Sequence, residues 1–216
     1  MKSVIFDMDG VLIDSEAMYQ YLLIDFFHQY GQKITLQQCN IFVGCSDAFF
    51  YEKLGELWNP TKSEKEMRDL YHAYFGEEQL DYGTLLNPHV KYILPKMKQK
   101  GIQLAIASSS SKKDILKMAK SNEILTYFDQ IVSGHEVPYS KPDPAIYLEA
   151  IHRLGAAKKE CVVIEDSSVG IQAAKQAGLY VIAKREVRFH MDQSQADFVA
   201  DDLLQAWLHI QERFQL

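Results

Sequence analysis

Val4-Ile5-Phe6-Asp7-Met8-Asp9-Gly10 sets three residues suited to a buried strand directly before two carboxylates one residue apart, and the glycine lets the backbone turn away. In an open parallel sheet, ligands bind beyond the carboxyl ends of the strands, which puts Asp7 and Asp9 at the mouth of such a crevice. Asp and Gly also make ordinary turns after strands, so these seven residues alone leave a site and a turn equally open.

Further along, from residue 87, helical and strand patterns alternate, which predicts an α/β fold with a parallel sheet. Asn87 is placed to cap a helix with Pro88 at its first position, and Gly101 to end it. Gln103-Leu104-Ala105-Ile106-Ala107 reads as a buried strand ending at Ser108, and Ile131-Val132-Ser133-Gly134 as a short one. Cys161-Val162-Val163-Ile164 reads as a central strand ending on Glu165 and Asp166, and Tyr180-Val181-Ile182-Ala183 as a further strand. Helices are expected after Ser111, from Asp143-Pro144, after Ser167-Ser168, and over residues 202–214.

Between the first strand and residue 80 the pattern is helical. Tyr19, Leu22, Leu23 and Phe26 share a face, with Gly31 as a stop, and further starts are expected at Thr35, Ser46 and Ser63-Glu64-Lys65-Glu66. This segment holds 13 of the chain's 25 Phe, Tyr and Trp residues, enough large side chains to fill a short helical core. The expected organisation is therefore an α/β core, residues 1–15 and 81–216, interrupted by a helical cap, residues 16–80.

The 216 residues, 47% apolar and 24% charged, suit a folded protein with a substantial core. A formal charge of −6 with no basic run gives nucleic acid or an anionic membrane little to hold. Cys39, Cys45 and Cys161 have no metal-ligand spacing, and reduced thiols are the simpler reading. With no signal-like or spanning segment, the chain is expected in the cytoplasm, and nothing demands more than a monomer.

Four strand ends now point to one rim: Asp7 and Asp9, Ser108, Lys141 shortly after the third strand, and Glu165 with Asp166. Singly, each has a bland reading as a cap, a solvated lysine or a polar turn. Together, four converging carboxylates repel one another unless a cation joins them. Oxygen ligands beside a phosphate select Mg²⁺. A hydroxyl, a lysine and a helix N-terminus on the same rim are the parts that hold a phosphoryl group.

On Asp7-Met8-Asp9-Gly10-Val11-Leu12-Ile13-Asp14-Ser15, Ser108, Lys141-Pro142-Asp143-Pro144 and Glu165-Asp166-Ser167, the chain resembles the haloacid dehalogenase superfamily. Within it, the likeness is to the capped group of β-phosphoglucomutase and many sugar phosphatases. The resemblance implies a Rossmann-like core with helices on both faces of the sheet and a Mg²⁺-dependent phosphatase acting on a small phosphorylated metabolite, a sugar phosphate first among them. By it, Asp7 is the nucleophile that becomes an aspartyl-phosphate, and Asp9 is the acid and base. Asp7, the backbone carbonyl of Asp9 and Asp166 surround Mg²⁺, with Glu165 nearby or bound through water. Ser108, Lys141 and the backbone N–H of Ser109 hold the phosphoryl oxygens.

Members similar to β-phosphoglucomutase carry a histidine and an arginine where this chain has Tyr19 and Asp47. The exchange of Arg for Asp reverses the charge offered to a second phosphate, which favours hydrolysis over the alternative of a phosphomutase. Asp47 is thus a substrate-binding candidate, with a helix-cap role as its bland reading. Glu136, in the loop before Lys141, is a second candidate, for orienting Lys141 or substrate, against the reading of a solvated loop acid. A third alternative, a binding or regulatory protein that keeps the pocket without using it, is disfavoured by the intact acids and lysine.

Overall fold

The chain runs β1 (Ser3–Phe6), α1 (Glu16–Gln29), α2 (Leu36–Cys39), α3 (Asp47–Trp58), α4 (Glu64–Phe75), α5 (Val90–Gln99), β2 (Gln103–Ser108), α6 (Lys112–Ser121), β3 (Gln130–Ser133) and α7 (Ala145–Leu154). It continues through β4 (Cys161–Glu165), α8 (Ser168–Gln176), β5 (Tyr180–Lys184), β6 (Phe198–Ala200) and α9 (Leu203–Phe214). This computed structural model describes residues 1–45, 47–58, 62–75 and 80–216, without the side chains of residues 47 and 48.

The six strands among the described residues are all parallel, in the order β3-β2-β1-β4-β5-β6. β1 is central, with Val4 beside Leu104 on one neighbour and Val162 on the other. The chain winds outward from β1 to β3 and then returns to β4, so the crevice where the winding reverses lies between the ends of β1 and β4. Asp7 follows the first of these strands, and Glu165 ends the second, with Asp166 directly after it.

Alternation along each strand makes two cores. Val4, Phe6, Leu104, Ile106, Val162 and Ile164 pack on one face under α5, α6 and α9, while Ile5, Ala105, Ala107 and Val163 pack on the other under α7 and α8. Each fully buried Val, Ile, Leu or Phe contributes about 1.5–3 kcal/mol. The sheet that positions the site is thus held from both sides.

Helices α1 to α4 bury a separate cluster containing Leu23, Phe26, Phe27, Leu54, Met67 and Tyr71. Phe26 is its hub, with ring centroids 4.7 Å from Trp58 and 5.2 Å from Tyr71. Thr35 and Ser63 begin α2 and α4 with reciprocal capping bonds, the second as its spacing predicts. The expected start at Ser46 lies outside the described residues.

Two expectations change. Asn87 does not cap α5: the N-cap is His89, in a left-handed conformation at φ 72°. The Asn87 side chain instead donates to the carbonyls of Gly10 and Val11, at 3.2 and 2.8 Å, and ties the loop after β1 to the chain entering α5. The sixth strand, β6, is three residues long and was not expected, because so short an edge strand carries little periodicity.

Bridging and capping make different predictions for Asn87. Asn87→Ser, which keeps a capping hydroxyl but cannot reach both carbonyls, should cost as much stability as Asn87→Ala, about 1–3 kcal/mol, in urea unfolding. Full retention of stability in the serine variant would restore the capping role.

Candidate active site

Lys141 lies in the loop between β3 and α7, and its side chain is only 4% exposed. The ammonium donates to Asp7 Oδ1 at 2.7 Å and Glu165 Oε1 at 2.6 Å. Burial pulls the lysine toward neutrality, but the two carboxylates outweigh it and hold the ammonium charged, well above its ordinary range.

Glu165 is fully buried, yet it collects the most hydrogen-bond donors of the three acids. Its Oε1 also accepts from the Tyr147 hydroxyl at 2.8 Å, and its Oε2 accepts from the N–H groups of Asp166 and Ser167 and from the Ser167 hydroxyl. Burial favours its neutral form, yet Lys141 and these donors keep Glu165 ionised, below the usual range. Among the described residues, the Asp7 carboxylate accepts from Lys141 alone. Burial, with repulsion from Glu165, raises Asp7 to about 8 despite the Lys141 bridge.

Asp166 is more exposed to this excess charge. Its Oδ2 is buried with no hydrogen-bond partner among the described residues, and burial together with Glu165 and Asp7 drives its carboxyl well above the usual range. Asp7, Glu165 and Asp166 bring one oxygen each within 4.8 Å of one another. Because both oxygens of Glu165 are already engaged, the orphan oxygen of Asp166 and the carboxylate of Asp7 are the better-suited donors. A set of hard oxygens carrying more negative charge than one ammonium can balance fits a divalent cation.

Backbone without side chains makes this crowding feasible. Gly10, at φ 78°, lies so close to Asp166 that a Cβ there would be 2.0 Å from Oδ2. At Gly170, in the first turn of α8, a Cβ would be 1.6 Å from Glu165 Oε1. Both acids sit in hollows that any alanine would fill.

Asp9 is turned to other partners. Ser15 Oγ donates to its Oδ1 at 2.6 Å and Ser110 Oγ to its Oδ2 at 2.8 Å, while burial raises its carboxyl above the ordinary range. Ser108 is buried at the end of β2, and its Oγ accepts the Ser110 N–H at 3.1 Å. Ser108, Ser109, Ser110, Asp7, Asp9, Lys141 and Asp166 line a cavity of about 690 Å³. Its far wall comes from α1 and the other helices of residues 16–80, through Tyr19, Phe42, Phe50 and Tyr71 among others. Gly44 lies against Ser167, its Cβ direction pointing to the serine Cβ at 3.0 Å, so the loop after α2 touches the rim beside Asp166.

A strap, residues 186–193, ties Asp14 to Asp166. Arg188 donates to both oxygens of Asp14, at 3.0 and 2.8 Å, and to buried Glu186. Five residues on, Gln193 Nε2 donates to the backbone carbonyl of Asp166 at 2.7 Å.

Of the residues singled out in sequence, Glu136 is not in the cavity. Its carboxylate accepts from Lys112, Arg153 and the Ser133 N–H, so those cations and the cap of a short turn claim it, and it does not orient Lys141. The side chain of Asp47 lies outside the described residues. Sequence reasoning passed over Ser110, Tyr147, Arg188 and Glu16. Tyr147 reads as a core aromatic of α7, and only its buried hydroxyl, which needs a partner, hinted otherwise.

Residues 4–184 match the family model described as haloacid dehalogenase-like hydrolase. The chain is 34% identical over 181 residues to the phosphorylated carbohydrates phosphatase of Thermotoga maritima, covering 83% of this chain and 82% of that protein. It is 29% identical over 181 residues to hexitol phosphatase B of Escherichia coli, covering 81% and 79%. The solved β-phosphoglucomutase of Clostridium difficile shares the fold, at a TM-score of 0.80 and 22% identity over 100% of this chain and 97% of that one. With strand order, acid cluster and sequence in agreement, the chain belongs to the haloacid dehalogenase-like hydrolase family.

Proposed function

We propose that the protein is a Mg²⁺-dependent phosphatase that hydrolyses a small phosphomonoester, a sugar or sugar-alcohol phosphate first among them, through an aspartyl-phosphate on Asp7. Its main support is the juxtaposition of the Lys141 ammonium, bridging Asp7 and Glu165, with the orphan oxygen of Asp166: an anion holder and a cation holder share one cavity. Two relatives named for phosphorylated carbohydrates and hexitols favour that substrate class.

In this reading Asp7 attacks phosphorus, the bond from phosphorus to the leaving oxygen breaks, and that oxygen takes a proton from Asp9. Water then attacks the phosphorus of the aspartyl-phosphate, Asp9 takes its proton, and phosphate departs with Asp7 restored. A raised carboxyl on Asp9 suits the first, proton-giving step. Its swing from Ser15 and Ser110 to the leaving oxygen is part of the step. Lys141, Ser108 Oγ and the Ser109 N–H hold the transferring oxygens, and Glu165, held by its own donors, keeps Lys141 aimed at them. Mg²⁺, held by Asp7, Asp166 and the backbone carbonyl of Asp9, supplies when bound the positive charge that phosphoryl oxygens and acids need to share the site. Helices α1 to α4 act as a cap that keeps bulk water from the first step.

Asp7→Asn should lower phosphate release from sugar phosphates at least about 1,000-fold while leaving the far-ultraviolet circular dichroism unchanged. Activity within tenfold of wild type would remove Asp7 as nucleophile. The same assay should count isomerised sugar, since isomer without phosphate would make the protein a mutase.

Protons and cation compete for the acid cluster. An acid raised from 3.8 to about 8 by folding gives its full stabilisation below pH 3.8, and that stabilisation is lost as pH rises through 8. Mg²⁺ needs the ionised form, so its affinity should rise over that interval. In thermal unfolding, the rise in Tm on adding Mg²⁺ should therefore be larger at pH 8 than at pH 5.5. An equal or larger rise at pH 5.5 would contradict a cation seated on Asp7.

A further inference from the structure

Glu16 takes no part in the steps above, yet it is only 7% exposed and stands on the cavity wall. It is the first residue of α1, directly after Ser15, whose hydroxyl holds Asp9. Its Oε1 accepts the Gly44 N–H at 3.3 Å. Its Oε2 has no hydrogen-bond partner among the described residues.

A structural clamp on Gly44 needs a single acceptor, which leaves Oε2 on the cavity wall for another partner. The surroundings of Glu16 are charged: Asp7 and Asp9 after β1, Asp166 after β4 and Glu186 in the strap are all acids. Burial and these neighbours raise Glu16 to about 8, so that near neutrality it can donate as well as accept. Such a group suits a hydroxyl, which also does both. Gln20, one turn along the same face of α1 and 8% exposed, lines the cavity too, with its Nε2 held by Asn40 Oδ1 at 2.8 Å. The wall next to Asp9, where a leaving oxygen must lie, is thus made of fixed amphoteric groups.

Building on the phosphatase reading, we propose that Glu16 Oε2 is the hydrogen-bond partner of a hydroxyl on the leaving group, and that it selects polyhydroxylated phosphomonoesters over alkyl and aryl ones. Glu16 is a specificity-determining residue in this account, with Gln20 beside it.

Binding without turnover tests it. In the Asp7→Asn protein with Mg²⁺, calorimetric titrations compare glucitol 6-phosphate with phenyl phosphate, each carrying one phosphate and only the first carrying hydroxyls. Adding Glu16→Ala should weaken glucitol 6-phosphate relative to phenyl phosphate by about 10–100-fold. Glu16→Gln, which keeps an acceptor and a donor, should stay within about threefold of the glutamate protein. An equal loss for both ligands would reduce Glu16 to a clamp on the Gly44 loop and overturn the proposal. So would no loss, or no binding of glucitol 6-phosphate. Failure of the Asp7 protein to release phosphate from any ester would instead strike the phosphatase reading, and the binding ratios would still decide the role of Glu16.

Discussion

One ammonium shared by two carboxylates is the constraint on which the site turns. Lys141 binds Asp7 and Glu165 at 2.7 and 2.6 Å in a buried pocket, and one positive charge cannot offset Asp7, Glu165 and Asp166 together. The imbalance does not fall evenly. Glu165 collects backbone and hydroxyl donors and stays ionised, while Asp7 and Asp166 bear the repulsion. In that state the site is built for more positive charge than the polypeptide supplies, which is what a phosphoryl-transfer centre requires of its protein.

The sheet creates this tension by topology. β1 and β4 are neighbours, so the residues that follow them are forced together, and the packing on both faces of the sheet resists their separation. Only residues without Cβ atoms can approach closely enough: Gly10 faces Asp166 and Gly170 faces Glu165. The hydrophobic cores thus stabilise an electrostatic arrangement that disfavours itself, a common pattern at functional sites.

Much of the fold was legible because its strands are short apolar runs ending on polar residues. The convergence of Asp7, Ser108, Lys141, Glu165 and Asp166 followed once those strand ends were taken as one rim. What escaped depends on side-chain direction. Asn87 before proline reads as a helix cap, but its amide reaches back to Gly10 and Val11, a contact across 77 positions that no local pattern encodes. Glu136 read as a neighbour of Lys141 by chain proximity, and Lys112 and Arg153 drew it elsewhere. Glu16 was invisible because an acid in the first turn of a helix is ordinary; only its burial and its cavity separate it from a helix-dipole partner.

The strap formed by Arg188 and Gln193 bears on how such a protein can be recombined. Arg188 grips Asp14, two residues before the first of the helices in residues 16–80, and Gln193 grips the carbonyl of Asp166. The segment between them therefore measures the distance from the root of the insertion to the acid cluster. Exchanging the helices of residues 16–80 for those of a relative leaves this ruler in place only when Asp14 and the spacing from 188 to 193 are kept. A graft cut on the far side of Asp14 carries off the residue that Arg188 holds, and a shortened loop pulls on Asp166 itself. The junction best suited to exchanging these helices is set by a loop more than 170 residues downstream of it.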